Sequence, residues 1–278
     1  MQQPVSVLFV GDVRRPEFGA AVRWLTGHAH TIWSASVADS ERQLAKLARP
    51  PEIIVIAESR PGEYPLEQID RLRELAPVAH LVSLLGSWCE GEPRSGRPWP
   101  GVFRTYWYRW PVVAARQLGQ LATGACPMWG LPVTATDEER LLHEVSRPLP
   151  QRAGLIALSA RHAETCRALS DACRLFGFAT VSLVSQQNVH MTGADAVLWD
   201  GEMIVDQSLR ELDRLKRLFD PAPVLALLLY PRSEDVKKVQ SVGAAGVLAK
   251  PFSLHDLDAE LDRLIRAPEG RPAVTSAG

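Results

Sequence analysis

Twice along the chain an apolar run passes without a polar break: Ile53-Ile54-Val55-Ile56-Ala57, and Val224-Leu225-Ala226-Leu227-Leu228-Leu229. Runs this short, flanked by prolines, read as strands, and a strand with no polar face has to be covered on both sides. A parallel sheet between two layers of helices meets that demand. Each run lies inside a series of short apolar segments alternating with amphipathic ones, so a helix-flanked parallel sheet is expected to be built twice.

In the first series strands are expected at 6–10, 31–35, 52–57, 80–85 and 102–108. Helices should fall near 18–25, 39–48, 66–75 and 111–121. The second series repeats the order, with strands at 154–159, 179–184, 196–200, 224–229 and 246–249. Its helices are expected at 163–176, 208–219, 233–242 and 254–265, with a short or irregular crossover before Asp195. Leu209, Leu212, Leu215 and Leu218 mark one buried stripe, and Leu254, Leu257, Leu261 and Leu264 another. Between the series, Cys-Pro, Gly-Leu-Pro and Pro-Leu-Pro break the alternation. This reading gives a first domain at 1–125, a linker at 126–152, a second domain at 153–267 and an unstructured tail at 268–278. Within the linker, Thr136-Asp137-Glu138-Glu139 has capping-box spacing and predicts a short helix to about Val145.

With 278 residues, the chain has room for two domains of ordinary size, and a formal net charge of −1 supplies no field toward nucleic acid or anionic lipid. The opening MQQPVSVLFVGD has no basic stretch before a long apolar run, and no segment is apolar enough for a membrane span. Neither nucleic acid nor membrane is therefore an expected partner. Cys89, Cys126, Cys166 and Cys173 form no C-x-x-C pair and are expected to be buried, reduced thiols of a cytoplasmic protein. The histidines are scattered without zinc spacing, and neither a P-loop nor a G-x-G-x-x-G is present.

The segment Ser241-Val-Gly-Ala-Ala-Gly-Val-Leu-Ala-Lys-Pro-Phe252 resembles the receiver domain of bacterial response regulators, and the likeness extends over 154–266. In that family a short helix ends in Gly-Ala and the fifth strand ends in Lys-Pro-Phe, with a cis peptide before the proline. Asp195-Ala-Val-Leu-Trp-Asp200-Gly resembles the third strand, whose last aspartate accepts phosphate. The first series is similar but more diverged. Its residues 51–57 match that third strand with Ala57 at the acceptor position, and Arg109-Trp110-Pro111 matches the Lys-Pro pair with tryptophan in place of lysine. The resemblance implies an α/β chain of two doubly wound five-stranded parallel sheets, of flavodoxin-like receiver topology, in tandem.

Phosphoryl transfer to an aspartate is mainly electrostatic: Mg²⁺ bridges acceptor and phosphoryl oxygens, and a cation balances the growing charge. The family's kit is an acidic pair after strand one, the acceptor after strand three, a hydroxyl after strand four and a lysine after strand five. In the second domain Asp200, Lys250 and Pro251 match it. The acidic pair, however, falls on Ser159-Ala160-Arg161, and the hydroxyl position on Leu228. In the first domain Asp12 is the single acidic remnant. Asp200 and Lys250 then read either as an ion pair retained at the strand ends or as a phosphoacceptor with its lysine; Mg²⁺ is expected only in the second case, and otherwise no cofactor, metal or catalytic residue.

Between strands four and five the first domain departs from the family. Residues 86–101 hold three glycines and three prolines after Glu90, which excludes the usual helix and leaves a shaped loop. Trp88, Glu90, Glu92, Arg94, Arg97 and Trp99 make it the candidate interaction surface, since tryptophan and arginine dominate binding hot spots. The alternatives are a seal over a bare sheet edge or a small-molecule site. Cys89 beside Glu90 lacks the electropositive surroundings of a nucleophile. The function expected is a signalling adaptor of the response-regulator type that binds unidentified protein partners independently of phosphorylation and is not an enzyme. The rivals are a phosphorelay receiver acting through Asp200, and a sensor or enzyme using the 86–110 loop. Oligomeric state is not written in the residues.

Overall fold

A computed structural model describes residues 4–90, 99–132, 134–146, 148–183, 193–202 and 204–266. The chain divides into two compact units, Met1–Arg147 and Pro148–Gly278.

In the first unit the strands are β1 (Ser6–Val10), β2 (His30–Ser34), β3 (Ile53–Glu58), β4 (His80–Leu85) and β5 (Phe103–Tyr106). All pair in parallel, in the order β2-β1-β3-β4-β5. The connecting helices are α1 (Gly19–His28), α2 (Val37–Leu44) and α3 (Leu66–Leu75), and α4 (Trp110–Ala122) follows β5. Every residue of β3 is buried, as its unbroken apolar run requires. Leu8, Val10, Ile54 and Ile56 pack with Val37, Leu44, Ile69 and Leu72 of α2 and α3. The alternate residues Val7, Phe9 and Val55 are buried too, as are Phe18 and Leu25 of the α1 segment.

The second unit has β6 (Leu155–Ser159), β7 (Ala179–Ser182), β8 (Ala196–Gly201), β9 (Val224–Leu229) and β10 (Gly246–Lys250), in the parallel order β7-β6-β8-β9-β10. Its helices are α6 (Ala163–Leu175), α7 (Asp206–Leu218), α8 (Ser233–Val242) and α9 (Leu254–Arg266). Period two along the strands divides the core into two layers. Leu158, Leu198, Leu225, Leu227 and Leu248 pack with Cys166, Leu169 and Cys173 of α6 and Leu257, Leu261 and Leu264 of α9. Ala157, Val197, Trp199, Val224, Ala226 and Leu228 pack with Leu212 and Leu215 of α7 and Val239 of α8. Leu209 and Leu218 join this second layer partly buried, whereas Leu254 is exposed rather than part of the α9 stripe. Within each unit the order is 2-1-3-4-5, that of flavodoxin and of receivers. The chain is two α/β domains of flavodoxin-like topology in succession.

The stretch expected as a linker behaves otherwise over its first part. Thr136 caps α5 (Asp137–Val145) with the reciprocal Glu139 hydrogen bonds of a capping box, as its spacing predicts. Yet residues 126–132 and 134–146 belong to the first unit. Met128 and Trp129 are buried, Trp129 stacks on Trp110 at 5.9 Å between ring centres, and the Met128 amide donates to Gln117 Oε1 at 2.6 Å. Prolines and glycines break a periodic pattern, but two large apolar side chains among them are enough to dock it. The crossover after β7 (184–192) and the tail after 266 lie outside the described residues.

Candidate functional site

In open α/β sheets ligands collect at the carboxyl ends of the strands. In the second unit Asp200, the penultimate residue of β8, has a side chain only 2% exposed. Lys250 ends β10, on the far side of β9, and reaches over the end of that strand to donate to Asp200 Oδ1. The peptide joining Lys250 to Pro251 is cis. A carboxylate this deep is costly to desolvate, and the ammonium offsets that cost. Leu228, at the hydroxyl position, is buried in the α7/α8 layer and offers no oxygen.

After β6 the chain runs Ser159-Ala160-Arg161. Ser159 Oγ donates to Glu211 Oε1 of α7 at 3.0 Å. Arg161 and His162 lie 3.8 and 3.2 Å from opposite oxygens of Glu202, so that carboxylate already faces a guanidinium and an imidazole. The open cleft above these groups holds about 600 Å³. Among the described residues no three His, Cys, Asp or Glu side chains are grouped to hold a metal ion.

The first unit closes the same position differently. Gly11, directly after β1, has φ +140°, and a Cβ there would lie 2.9 Å from Ala57 Cβ and 3.4 Å from the Tyr64 hydroxyl. Tyr64 is 8% exposed and covers the acceptor position. Burial first, then the Glu63 and Glu58 carboxylates, pushes its phenol well above the ordinary value. Glu58 and Glu63 bind their own turn: Gly62 N donates to Glu58 Oε1 at 2.9 Å, and Ser59 N and Oγ donate to Glu63 Oε2 at 2.6 and 2.7 Å. Asp12 points outward, where hydrogen bonds from the Arg14 side chain and amide hold its carboxyl below the usual range.

The lysine position in this unit is Trp107 and not Trp110. Ala57 is paired with Leu84 and Leu84 with Thr105, while Asp200 is paired with Leu227 and Leu227 with Leu248. Two residues further on lie Trp107 and Lys250. Trp107 is 4% exposed, and its amide extends the ladder by donating to Leu85 O at 2.9 Å. Trp110 instead opens α4, buried against Trp129. Spacing to the next proline misplaced the position because it ignores where β5 ends.

Of the candidate interaction loop, Glu92, Arg94 and Arg97 lie outside the described residues. Trp88 is 72% exposed, whereas Trp99 is partly buried with its ring edge-on to Tyr64 at 6.4 Å. Glu90 accepts the Tyr106 hydroxyl on its backbone carbonyl at 3.2 Å. Cys89 is buried, with Sγ 3.4 Å from the Glu58 carbonyl that it donates to, which removes it from nucleophilic chemistry. Cys166 and Cys173 are buried as expected, but Cys126 is exposed because Met128 and Trp129, rather than it, anchor their segment. Sequence reasoning missed Tyr64, since a lone tyrosine in a turn carries no periodic or motif signal.

No protein-family model and no curated protein matches the chain. Solved structures similar to it include a response regulator from Thermotoga maritima, at 20% identity and TM-score 0.35, covering 40-odd per cent (41%) of this chain and 98% of its own. The orphan response regulator HP1043 of H. pylori is similar at 18% identity and TM-score 0.34, with 42% of this chain and 100% of that one covered. The chemotaxis protein CheY4 of Vibrio cholerae gives 19% identity, TM-score 0.33, and 41% and 98% coverage. Among the described residues no helix is long and apolar enough to cross a membrane.

Proposed function

We propose that the protein is a signal-transduction adaptor of the response-regulator type, whose two receiver-like domains bind protein partners without a phosphorylation step and without catalysis of their own. One observation carries this reading. The second unit, which keeps the acceptor aspartate, has Ala160 and Arg161 where the metal-binding carboxylates of the resembled family would stand, and Asp200 is already joined to Lys250. A cation at Arg161 opposes Mg²⁺, and without Mg²⁺ the charge of an incoming phosphoryl group is not balanced. In the first unit Ala57 has no side-chain oxygen to phosphorylate.

Incubation of the full chain with acetyl phosphate and Mg²⁺, followed by intact-mass measurement, should give no added phosphoryl group. Affinity capture from the native cell with the wild type and with Asp200→Asn should recover the same partners in the same amounts. Mg²⁺-dependent labelling that vanishes in Asp200→Asn would instead establish a phosphorelay receiver.

A further inference from the structure

The first unit opens into a second cleft, of about 260 Å³, bounded by β5, α4 and α5 at the edge of the sheet. Its apolar lining includes Leu85, Val102, Phe103, Val113 and Met128. Thr105 lines it as well, 3% exposed, with a buried hydroxyl that meets no hydrogen-bond partner among the described residues. A buried hydroxyl left unpaired is destabilising, so a native fold that tolerates one reserves it for a ligand or water.

The charges at the cleft are unbalanced. Arg104, next to Thr105 on the edge strand, has no carboxylate partner among the described residues. Arg140 of α5 donates to the carbonyls of Met128 and Pro132 at 3.0 and 3.3 Å, which fix its position without neutralising it. The carboxylate at the rim, Glu144, is 2.5 Å from Arg116 and so is already matched. Apolar lining, two arginines without a carboxylate partner among the described residues and one hydroxyl without a partner there describe an amphiphilic anion.

We propose that this cleft binds a small organic carboxylate with a compact apolar body, of about a dozen non-hydrogen atoms given its volume. Arginine pairs in a planar, two-pronged fashion with a carboxylate, and the apolar lining would leave much of a phosphate dianion desolvated without partners. The site shares no residue with the strand-end positions discussed above and stands or falls apart from the adaptor reading.

The test uses the full chain, intrinsic tryptophan fluorescence and thermal shift. The probes are benzoate, cyclohexanecarboxylate and 3-methylbutanoate, their uncharged amides, and inorganic phosphate. At least one carboxylate should bind saturably and its amide about tenfold more weakly, the scale of one hydrogen bond to a charged group. Arg104→Gln and the near-isosteric Thr105→Val should each weaken that carboxylate severalfold while the far-ultraviolet spectrum stays unchanged, and Asp200→Asn should leave its binding as in the wild type. The proposal is overturned if none of the carboxylates binds, if amide and acid bind alike, if phosphate alone binds, or if Arg104→Gln has no effect.

Discussion

The two units build one topology and close the same strand-end position by opposite means. In the second, Asp200 and Lys250 form an ion pair beneath an open cleft; in the first, Gly11, Ala57 and Tyr64 close the equivalent space without a charge. The contrast shows that the 2-1-3-4-5 sheet does not depend on charge at this end. Apolar packing of both faces holds the sheet, and the strand ends are free to take either solution.

The largest effect should come from forcing the charged solution on the apolar unit. Ala57→Asp would place a carboxylate against Gly11 and under Tyr64, near the carboxylates of Glu58 and Glu63 and far from any lysine on β5, whose equivalent position is Trp107. An uncompensated buried charge costs about 3–5 kcal/mol. Urea unfolding of this variant should show the first unit melting early, and a loss below about 1 kcal/mol would mean that the pocket relaxes far more readily than close packing allows.

Next in size is an asymmetry inside the pair itself. Lys250 is 24% exposed on its side chain and can turn to water, whereas Asp200 at 2% cannot. Lys250→Met, which strands the carboxylate, should therefore cost about 3 kcal/mol, and Asp200→Asn, which leaves a solvated ammonium, about 1 kcal/mol. The double replacement Asp200→Leu with Lys250→Met should cost less than Lys250→Met alone. Equal single-variant losses in denaturant titrations would show that the two charges are desolvated alike.

How these differences stood in the sequence depends on the physics behind each. Central strands declare themselves, because a strand covered on both faces has no polar break; β3, β4 and β9 fall within a residue of their expected limits. The capping box at Thr136 and the Lys250-Pro251 strand end are local and were equally legible. Register is not local. Trp107 takes the lysine position through two ladders of hydrogen bonds, and counting residues to Pro111 pointed to Trp110 instead. The place of 126–132 and 134–146 in the first unit was hidden for a related reason: turn residues dominate the pattern, while Met128 and Trp129 supply the contact. The closed pocket of the first unit was half legible, since Ala57 revealed the lost acceptor but nothing near Tyr64 announced what had filled the space.

A smaller loss is expected from Gly11→Ala. Its φ of +140° is poorly tolerated by a side chain, and the added carbon would meet Ala57 Cβ at 2.9 Å. Strain and crowding together should remove about 2 kcal/mol from the first unit. Tyr64→Phe in the same background should not restore it, because the near contact is with Ala57; recovery in that double variant would transfer the crowding to the phenol oxygen.

The thiols give the smallest signal and the one that separates the units. At neutral pH iodoacetamide should modify Cys126 of the first unit and neither thiol of the second, because the thiolate is the reactive form, burial pushes Cys173 up to about 12, and Cys166 is covered by the same core layer. Toward pH 9 Cys173, still protonated in the folded state, should stay unlabelled until the unit opens. Labelling of Cys173 then counts openings of the second unit, and Cys89, buried beside Glu58, counts those of the first. Each unit buries its own core layers, so Lys250→Met should speed Cys173 labelling by about a hundredfold, the equivalent of 3 kcal/mol, and leave Cys89 at its wild-type rate. Ala57→Asp should do the reverse. Peptide mass mapping of both thiols in both variants would show the opposite result, equal acceleration everywhere, if the two strand-end solutions were parts of one cooperative structure.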